Sequence, residues 1–225
     1  MAGFSFPSKP ETRNRNLCDN PPLSAQPEKT LNPEAAVVAN LEPNWGSWQI
    51  HRRSGIPVGI ADWLRDRGSL TARLVKASGG RFRVRLMHQG WGRPLYSESR
   101  LLRMRRGETA LVREVELLGG GVPWVFARTL IPASSLRGPA RRLADLGEKP
   151  LGAVLFADPG MRRGPTQIAR LLPRHPLFVA ATGSLEQKPA ELWGRRTLFY
   201  LSGKPLLVNE IFLPDIPLEV EEEKP

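Results

Sequence analysis

Lys204-Pro205-Leu206-Leu207-Val208-Asn209-Glu210-Ile211-Phe212-Leu213-Pro214 reads as a strand. Side chains alternate along a strand, so Glu210 shares a face with Leu206, Val208 and Phe212. A carboxylate there stands among apolar neighbours. Burying a lone charge costs on the order of several kcal/mol unless it is paired or protonated. Glu210 therefore needs a partner, and a ligand is one candidate.

Outward from this strand, Arg195–Leu201 pairs with Pro205–Leu213 as a hairpin across Ser202-Gly203-Lys204. A second hairpin joins Thr109–Leu118 to Trp124–Ile131 across Gly119-Gly120-Gly121-Val122-Pro123. No helix follows these glycines to receive a phosphate, so they read as a turn. Arg81-Phe82-Arg83-Val84-Arg85-Leu86 alternates strictly and predicts another strand. Ile60–Leu64 predicts a short helix with Asp62 and Arg65 exposed. Ser69 predicts the cap of a second helix that runs through Lys76 and ends at Gly79-Gly80. Pro139–Leu146 and Pro150–Phe156 also read as helical, with Gly147 between them. Strands at both ends with helices between them predict an α+β fold: a single antiparallel sheet with helices packed against it. There are no internal repeats.

Two arginines break the strand pattern as Glu210 does. In Thr109–Leu117, one face carries Leu111, Arg113, Val115 and Leu117; Glu114 and Glu116 fall on the other, the expected solvent face. In Trp124–Leu130, Arg128 shares a face with Trp124, Phe126 and Leu130. The expectation is that Arg113, Arg128 and Glu210 converge in the interior, leaving one net positive charge. Such a pocket favours a small anion that offers a proton donor to Glu210. Two readings of Arg113 and Glu210 stand: a buried ion pair holding two strands in register, or ligand-binding groups. Arg128 shifts the balance toward a ligand, because one carboxylate cannot neutralise two guanidinium groups.

The chain has 225 residues and is 40% hydrophobic, enough for one medium domain with a real core. Three regions are expected: a disordered Pro-rich extension over residues 1–45, a folded domain over 46–218 and an acidic tail over 219–225. No apolar run approaches the roughly 20 residues of a membrane helix. The start lacks an apolar signal core, which points to a cytoplasmic protein. Cys18 has no partner for an internal disulfide, and His51, His88 and His175 lack metal-ligand spacing. The formal net charge is +11, yet residues 1–45 hold four basic and five acidic side chains, so the excess lies in the domain. Its densest basic stretch, Arg100–Arg106, has no interleaved aromatics. It reads as a solvated loop or helix face that also steers anionic substrate, and not as a nucleic-acid site.

Three C-terminal segments, Trp193-Gly194-Arg195-Arg196, Leu201-Ser202-Gly203-Lys204-Pro205-Leu206-Leu207 and Glu210-Ile211-Phe212-Leu213-Pro214, resemble the last strands of chorismate pyruvate-lyases. Val112-Arg113-Glu114-Val115, Ala127-Arg128-Thr129-Leu130-Ile131-Pro132 and Lys149-Pro150-Leu151-Gly152 match in order, and the resemblance spans about Asp62 to Leu218. It implies that Arg113 and the backbone N–H of Leu151 hold the ring carboxylate of 4-hydroxybenzoate, and that Glu210 faces the ring hydroxyl. It places Leu70 where relatives carry a methionine contact, and Ala127 where relatives often have glycine. Arg128 is the candidate for the enolpyruvyl carboxylate or the departing oxygen. The stretch from Leu172 to Glu191 is longer than in shorter relatives; Leu177–Ala181 is expected to add a strand there.

The implied reaction removes pyruvate from chorismate, the first step toward ubiquinone. Aromatisation drives it, so the protein has only to orient the substrate and stabilise charge. No metal or redox cofactor is required. The implied partners are chorismate and 4-hydroxybenzoate, without nucleic acid or membrane insertion, and a monomer is expected. The alternative is a small-anion effector domain of the same fold without catalysis, as in bacterial transcription regulators. Those regulators carry an N-terminal winged DNA-binding domain, for which Met1–Pro43 is too short and too Pro-rich.

Overall fold

The computed structural model describes residues 41–218. The expected extension up to residue 40 and the acidic tail over 219–225 lie outside the described residues. The described chain forms one six-stranded sheet in the order β1-β2-β3-β6-β5-β4. The strands are β1 (Phe82–Gly92), β2 (Ala110–Gly119), β3 (Val122–Pro132), β4 (Arg162–Leu171), β5 (Leu192–Leu201) and β6 (Lys204–Phe212). Every neighbouring pair is antiparallel, as the α+β reading requires.

Two tight turns set the central register. Gly120 and Gly121 close the β2–β3 hairpin with φ of 61° and 94°, the left-handed geometry that two-residue hairpins need. Ser202 and Gly203 do the same for β5–β6, with φ of 49° and 76°. The turn is thus two residues long. The expected three-residue loop through Lys204 is corrected, because Lys204 pairs with Leu201. This single-residue difference puts Arg195 opposite Glu210.

Helices cover both faces of the sheet. On one face lie α2 (Val58–Arg65), α3 (Leu70–Ala77), a 3₁₀ segment (Gly138–Asp145) and α5 (Leu151–Phe156). The Ser69 hydroxyl accepts the N–H of Ala72 and so caps α3, as its sequence predicts. Trp63, Leu64 and Leu74 pack there with Val115, Leu117 and Phe212; Leu143 and Leu155 pack with Leu111, Phe199 and Val208. On the opposite face α4 (Tyr96–Leu101) and α6 (Pro176–Ala181) cover Val112, Leu130, Ile211 and Phe126. A short α1 (Trp48–His51) lies near β4, where Gly46 bridges Ile168. No helix among the described residues is long and apolar enough to cross a membrane.

Several expectations are corrected here. Residues 176–181 form a helix, not a strand: Pro176 fits a first turn, and Leu177, Phe178 and Ala181 bury one helical stripe. Glu116 is not on a solvent face. It is 1% exposed and is held by Arg85 and by Ser184 of the longer 172–191 stretch, which thus packs on the back of the sheet. The fold also begins before residue 46. Glu42 is buried and accepts the N–H groups of Tyr96 and Ser97 at 2.7 and 3.0 Å, which caps α4. In the Arg100–Arg106 stretch, Arg100, Arg103, Arg105 and Arg106 are exposed.

Candidate active site

A cavity opens between the two apolar clusters on the α2, α3 and α5 face, with about 60 Å³ in which the centre of a water molecule can move. The starts of α3 and α5 form its roof. They are close: a Cβ on Gly152 would sit 3.1 Å from Thr71 Oγ1. Its floor is the sheet, and the floor carries the charge. Leu70, Arg113, Leu151 and Glu210 all line it, together with Arg163 and Arg195. Four of the five residues singled out from sequence therefore meet in one cavity.

Glu210 finds its partner across the β5–β6 hairpin. Arg195 Nε donates to Glu210 Oε2 at 2.5 Å, with the Arg195 side chain 1% and the Glu210 side chain 16% exposed. Arg195 Nη1 donates to the carbonyls of Trp63 and Asp66 at 2.8 and 2.5 Å. The ion pair is thus fixed to the end of α2, and Glu210 lines the cavity. The Arg113–Glu210 pair considered from sequence does not form. Arg113, 2% exposed, donates through Nη2 to the carbonyls of Gly147 and Lys149 at 2.8 and 3.0 Å. Its Nε is buried without a hydrogen-bond partner. Burial holds its pKa below the ordinary arginine value, since no carboxylate among the described residues pairs with it. The same two carbonyls tie the turn before α5 to β2, so Arg113 also places Leu151.

Arg163 enters from the edge strand β4. The pairing of β4 with β5 is irregular between Arg163 and Thr166, around Gly164-Pro165. The Arg163 guanidinium lies 5.5 Å from the Phe199 ring centroid, and Nη1 donates to the carbonyl of Arg67. Burial first, and then the charge of Arg195, lower its pKa; Glu210 and Asp66 oppose them. Counting Arg113, Arg163 and Arg195 against Glu210, the lining carries two net positive charges.

Arg128 is corrected. It does not reach this cavity. The β3–β6 register sets Ala127 opposite Glu210 and Arg128 opposite Asn209, so Arg128 points to the opposite face. There its Nε donates to Glu98 at 3.1 Å and its Nη1 to Glu114 at 2.5 Å. The apolar neighbours that placed it inside, Phe126 and Leu130, belong to the core on the back of the sheet. Among the described residues no group of three His, Cys, Asp or Glu side chains is placed to hold a metal.

Residues 43–220 match the family model described as chorismate lyase. The chain belongs to the chorismate lyase family. As a member it is an enzyme of the lyase class. A relative from Methylococcus capsulatus, named probable chorismate pyruvate-lyase, is 46% identical over 159 residues, covering 70% of this chain and 96% of the relative. One from Nitrosomonas europaea with the same name is 42% identical, covering 71% and 89%. Among solved structures, the effector domain of PhnF from Mycobacterium smegmatis is similar with a TM-score of 0.46 at 19% identity, covering 66% of this chain and 90% of that one. A PhnF C-terminal domain gives 0.48 at 16% identity, covering 59% and 83%.

Two residues of the cavity, Arg195 and Arg163, escaped the sequence reading. Arg195 carries the same signal as Glu210, a charge on an otherwise apolar strand, but its face depends on the turn length. Arg163 lies in Arg162-Arg163-Gly164-Pro165, which has no alternation to read.

Proposed function

We propose that this chain is a chorismate pyruvate-lyase that eliminates pyruvate from chorismate and leaves 4-hydroxybenzoate. The observation that carries the reading is Arg113: a buried guanidinium with no carboxylate partner, facing a cavity that holds Glu210 two strands away. Strands lie about 4.8 Å apart, so the two backbones are separated by roughly 10 Å. A para-substituted ring spans such a gap with an acid group at one end and a hydroxyl at the other.

The residues divide the work. Arg113, whose Nη2 is taken by the carbonyls of Gly147 and Lys149, presents its other terminal nitrogen to the ring carboxylate, and charge-assisted bonds of this kind are the strong ones. Leu151 is the first residue of α5, where backbone N–H groups have no partner within the helix, and its N–H is the second donor. Glu210, held by Arg195 through Oε2, offers Oε1 to the ring hydroxyl. Leu70 forms an apolar wall from α3.

In the reaction the bond between C3 and the ether oxygen breaks and the ring C4 loses its hydrogen. The enolpyruvyl methylene gains one hydrogen and becomes the methyl group of pyruvate. The change is redox-neutral, and aromatisation makes it downhill. The protein contributes orientation and a field set in advance around the developing charge. The reading also makes the chain a cytoplasmic monomer that supplies a ubiquinone precursor. Incubating the purified chain with chorismate and assaying pyruvate and 4-hydroxybenzoate tests it. Equimolar appearance of both supports the lyase; chorismate that binds and stays intact points to an effector domain instead.

A further inference from the structure

Arg163 is the second cation of the cavity with no carboxylate to neutralise it. Arg195 is closed by Glu210, and its Nη1 is engaged by two backbone carbonyls. Arg163 forms no ion pair among the described residues. Its one hydrogen bond there is to the carbonyl of Arg67, and its guanidinium rests against Phe199. The side chain is half-buried and lines the cavity. A cation brought partly out of water with an acceptor for only some of its donors is an incomplete arrangement, and an anion completes it.

Its place relative to the other groups limits which anion. Arg113 is on β2 and Arg163 on β4, four strand intervals away, about 19 Å along the sheet. Two long side chains reaching inward from those positions leave a gap of molecular size between their heads. Glu210, on β6, lies midway, two strand intervals from each arginine, and within electrostatic reach of Arg163. The substrate of the proposed reaction carries its two carboxylates with a similar layout. One is on the ring, opposite the hydroxyl that faces Glu210. The other is on the enolpyruvyl arm, attached to the carbon next to that hydroxyl. With the ring carboxylate on Arg113 and the hydroxyl on Glu210, the arm starts beside Glu210. Among the cavity residues, Arg163 is then the cation left for it.

Resting on the lyase reading, we propose that Arg163 binds the enolpyruvyl carboxylate of the substrate. It is a substrate-binding residue that the aromatic product does not use. It holds the carboxylate while the C3–oxygen bond breaks, and this carboxylate leaves with pyruvate. The two net positive charges of the lining match the two carboxylates of the substrate, whereas the aromatic product presents only one.

The consequence is a split between substrate and product that Arg113 does not show. The experiment compares wild type, Arg163→Gln and Arg163→Lys in steady-state turnover of chorismate and in calorimetric titration with 4-hydroxybenzoate. Arg163→Gln is expected to lower kcat/KM by about 30-fold or more, the lower end of the loss on truncating a buried charge partner. The 4-hydroxybenzoate affinity is expected to stay within about twofold, well under the tenfold that 1.4 kcal/mol represents. Arg163→Lys is expected to recover part of kcat/KM, because it keeps the charge without the planar fork. Unchanged kcat/KM in Arg163→Gln overturns the assignment and leaves the lyase reading standing. So does an equal loss of 4-hydroxybenzoate affinity, which would make Arg163 a general support of the pocket. A wild-type chain that releases no pyruvate overturns the lyase reading, and this assignment with it.

Discussion

The two faces of the sheet each carry a cluster of buried charge, and the clusters around Arg128 and Arg113 differ in whether the arginine has a carboxylate partner. On the back, Glu98 is fully buried and accepts from Arg128 Nε at 3.1 Å, Asn209 Nδ2 at 3.0 Å and the Leu95 N–H at 2.8 Å. Glu114 takes a further nitrogen of Arg128. Burial depresses the Arg128 pKa, but Glu98 and Glu114 more than reverse this, so the net direction is upward. On the front, Arg195 and Glu210 are matched while Arg113 and Arg163 have no carboxylate partner among the described residues. Paired charges of this kind fix a fold, although Asn209 Oδ1 in the same cluster is buried without a hydrogen-bond partner. Cations left over beside a cavity are poised for something absent from the chain itself. The same residue type, on strands that are direct neighbours in the sheet, is thus paired with carboxylates at Arg128 and, in the proposed function, serves ligand binding at Arg113.

The sharpest break in this comparison is on the front face. Glu210→Gln keeps the shape and removes the charge, and it is expected to lower kcat for chorismate by about 10²–10⁴-fold, the usual weight of a positioned acid–base group. Wild-type turnover with unchanged product affinity would remove Glu210 from the mechanism. On the back, Glu98→Ala leaves Arg128 short of a partner in the core. Urea unfolding is expected to show a loss of about 3–5 kcal/mol. A loss under about 1 kcal/mol would mean that water reaches this network and that the back face is not closed.

Arg113→Ala is expected to weaken 4-hydroxybenzoate binding by about 2–5 kcal/mol in calorimetry. Affinity equal to wild type would make Arg113 a clamp for the Gly147–Lys149 turn and nothing more. The smallest effect is expected at Arg196. It is buried, its pKa is pushed down to about 10 by desolvation despite Glu98 and Glu42, and its side-chain acceptors, Gln167 and Ser97, are neutral. Because the fold disfavours its charged form, Arg196→Met is expected to cost less than about 1.5 kcal/mol, as for a volume-conserving swap. A loss as large as that of Glu98→Ala would show that Arg196 is integral to the back network.

The division between faces also explains what the sequence could and could not reveal. Glu210 and Arg113 were legible because a charge at one position of an apolar alternation stands out whatever covers the strand. The hairpins and the Ser69 cap were legible from local chemistry. Arg128 was misplaced because both faces of this sheet are covered, so apolar neighbours mark a core without saying which one. Phe126 and Leu130 are as buried as Val125 and Ala127. The partner of Glu210 was missed by one residue of turn. A three-residue loop sets Arg196 opposite Glu210, whereas the two-residue turn sets Arg195 there, and a slip of one exchanges the faces. Strand β4 was not read because Arg163-Gly164-Pro165 interrupts its alternation and its pairing. Residues 177–181 illustrate the ambiguity of a short apolar run, which Pro176 at a helix start resolves.

The most direct test of the two-face account makes one charge-conserving change on each face. 4-Hydroxybenzoate is titrated calorimetrically into Arg113→Lys and Arg128→Lys, with the melting temperature of each recorded. The expected result is a loss of affinity of about tenfold or more in Arg113→Lys with little change in melting temperature, because an ammonium cannot offer the planar fork. Arg128→Lys is expected to keep its affinity and melt earlier, because one ammonium cannot bridge Glu98 and Glu114 as the guanidinium does. Equal affinity in the two variants, or loss of binding confined to Arg128→Lys, would contradict the assignment of ligand binding to the front face.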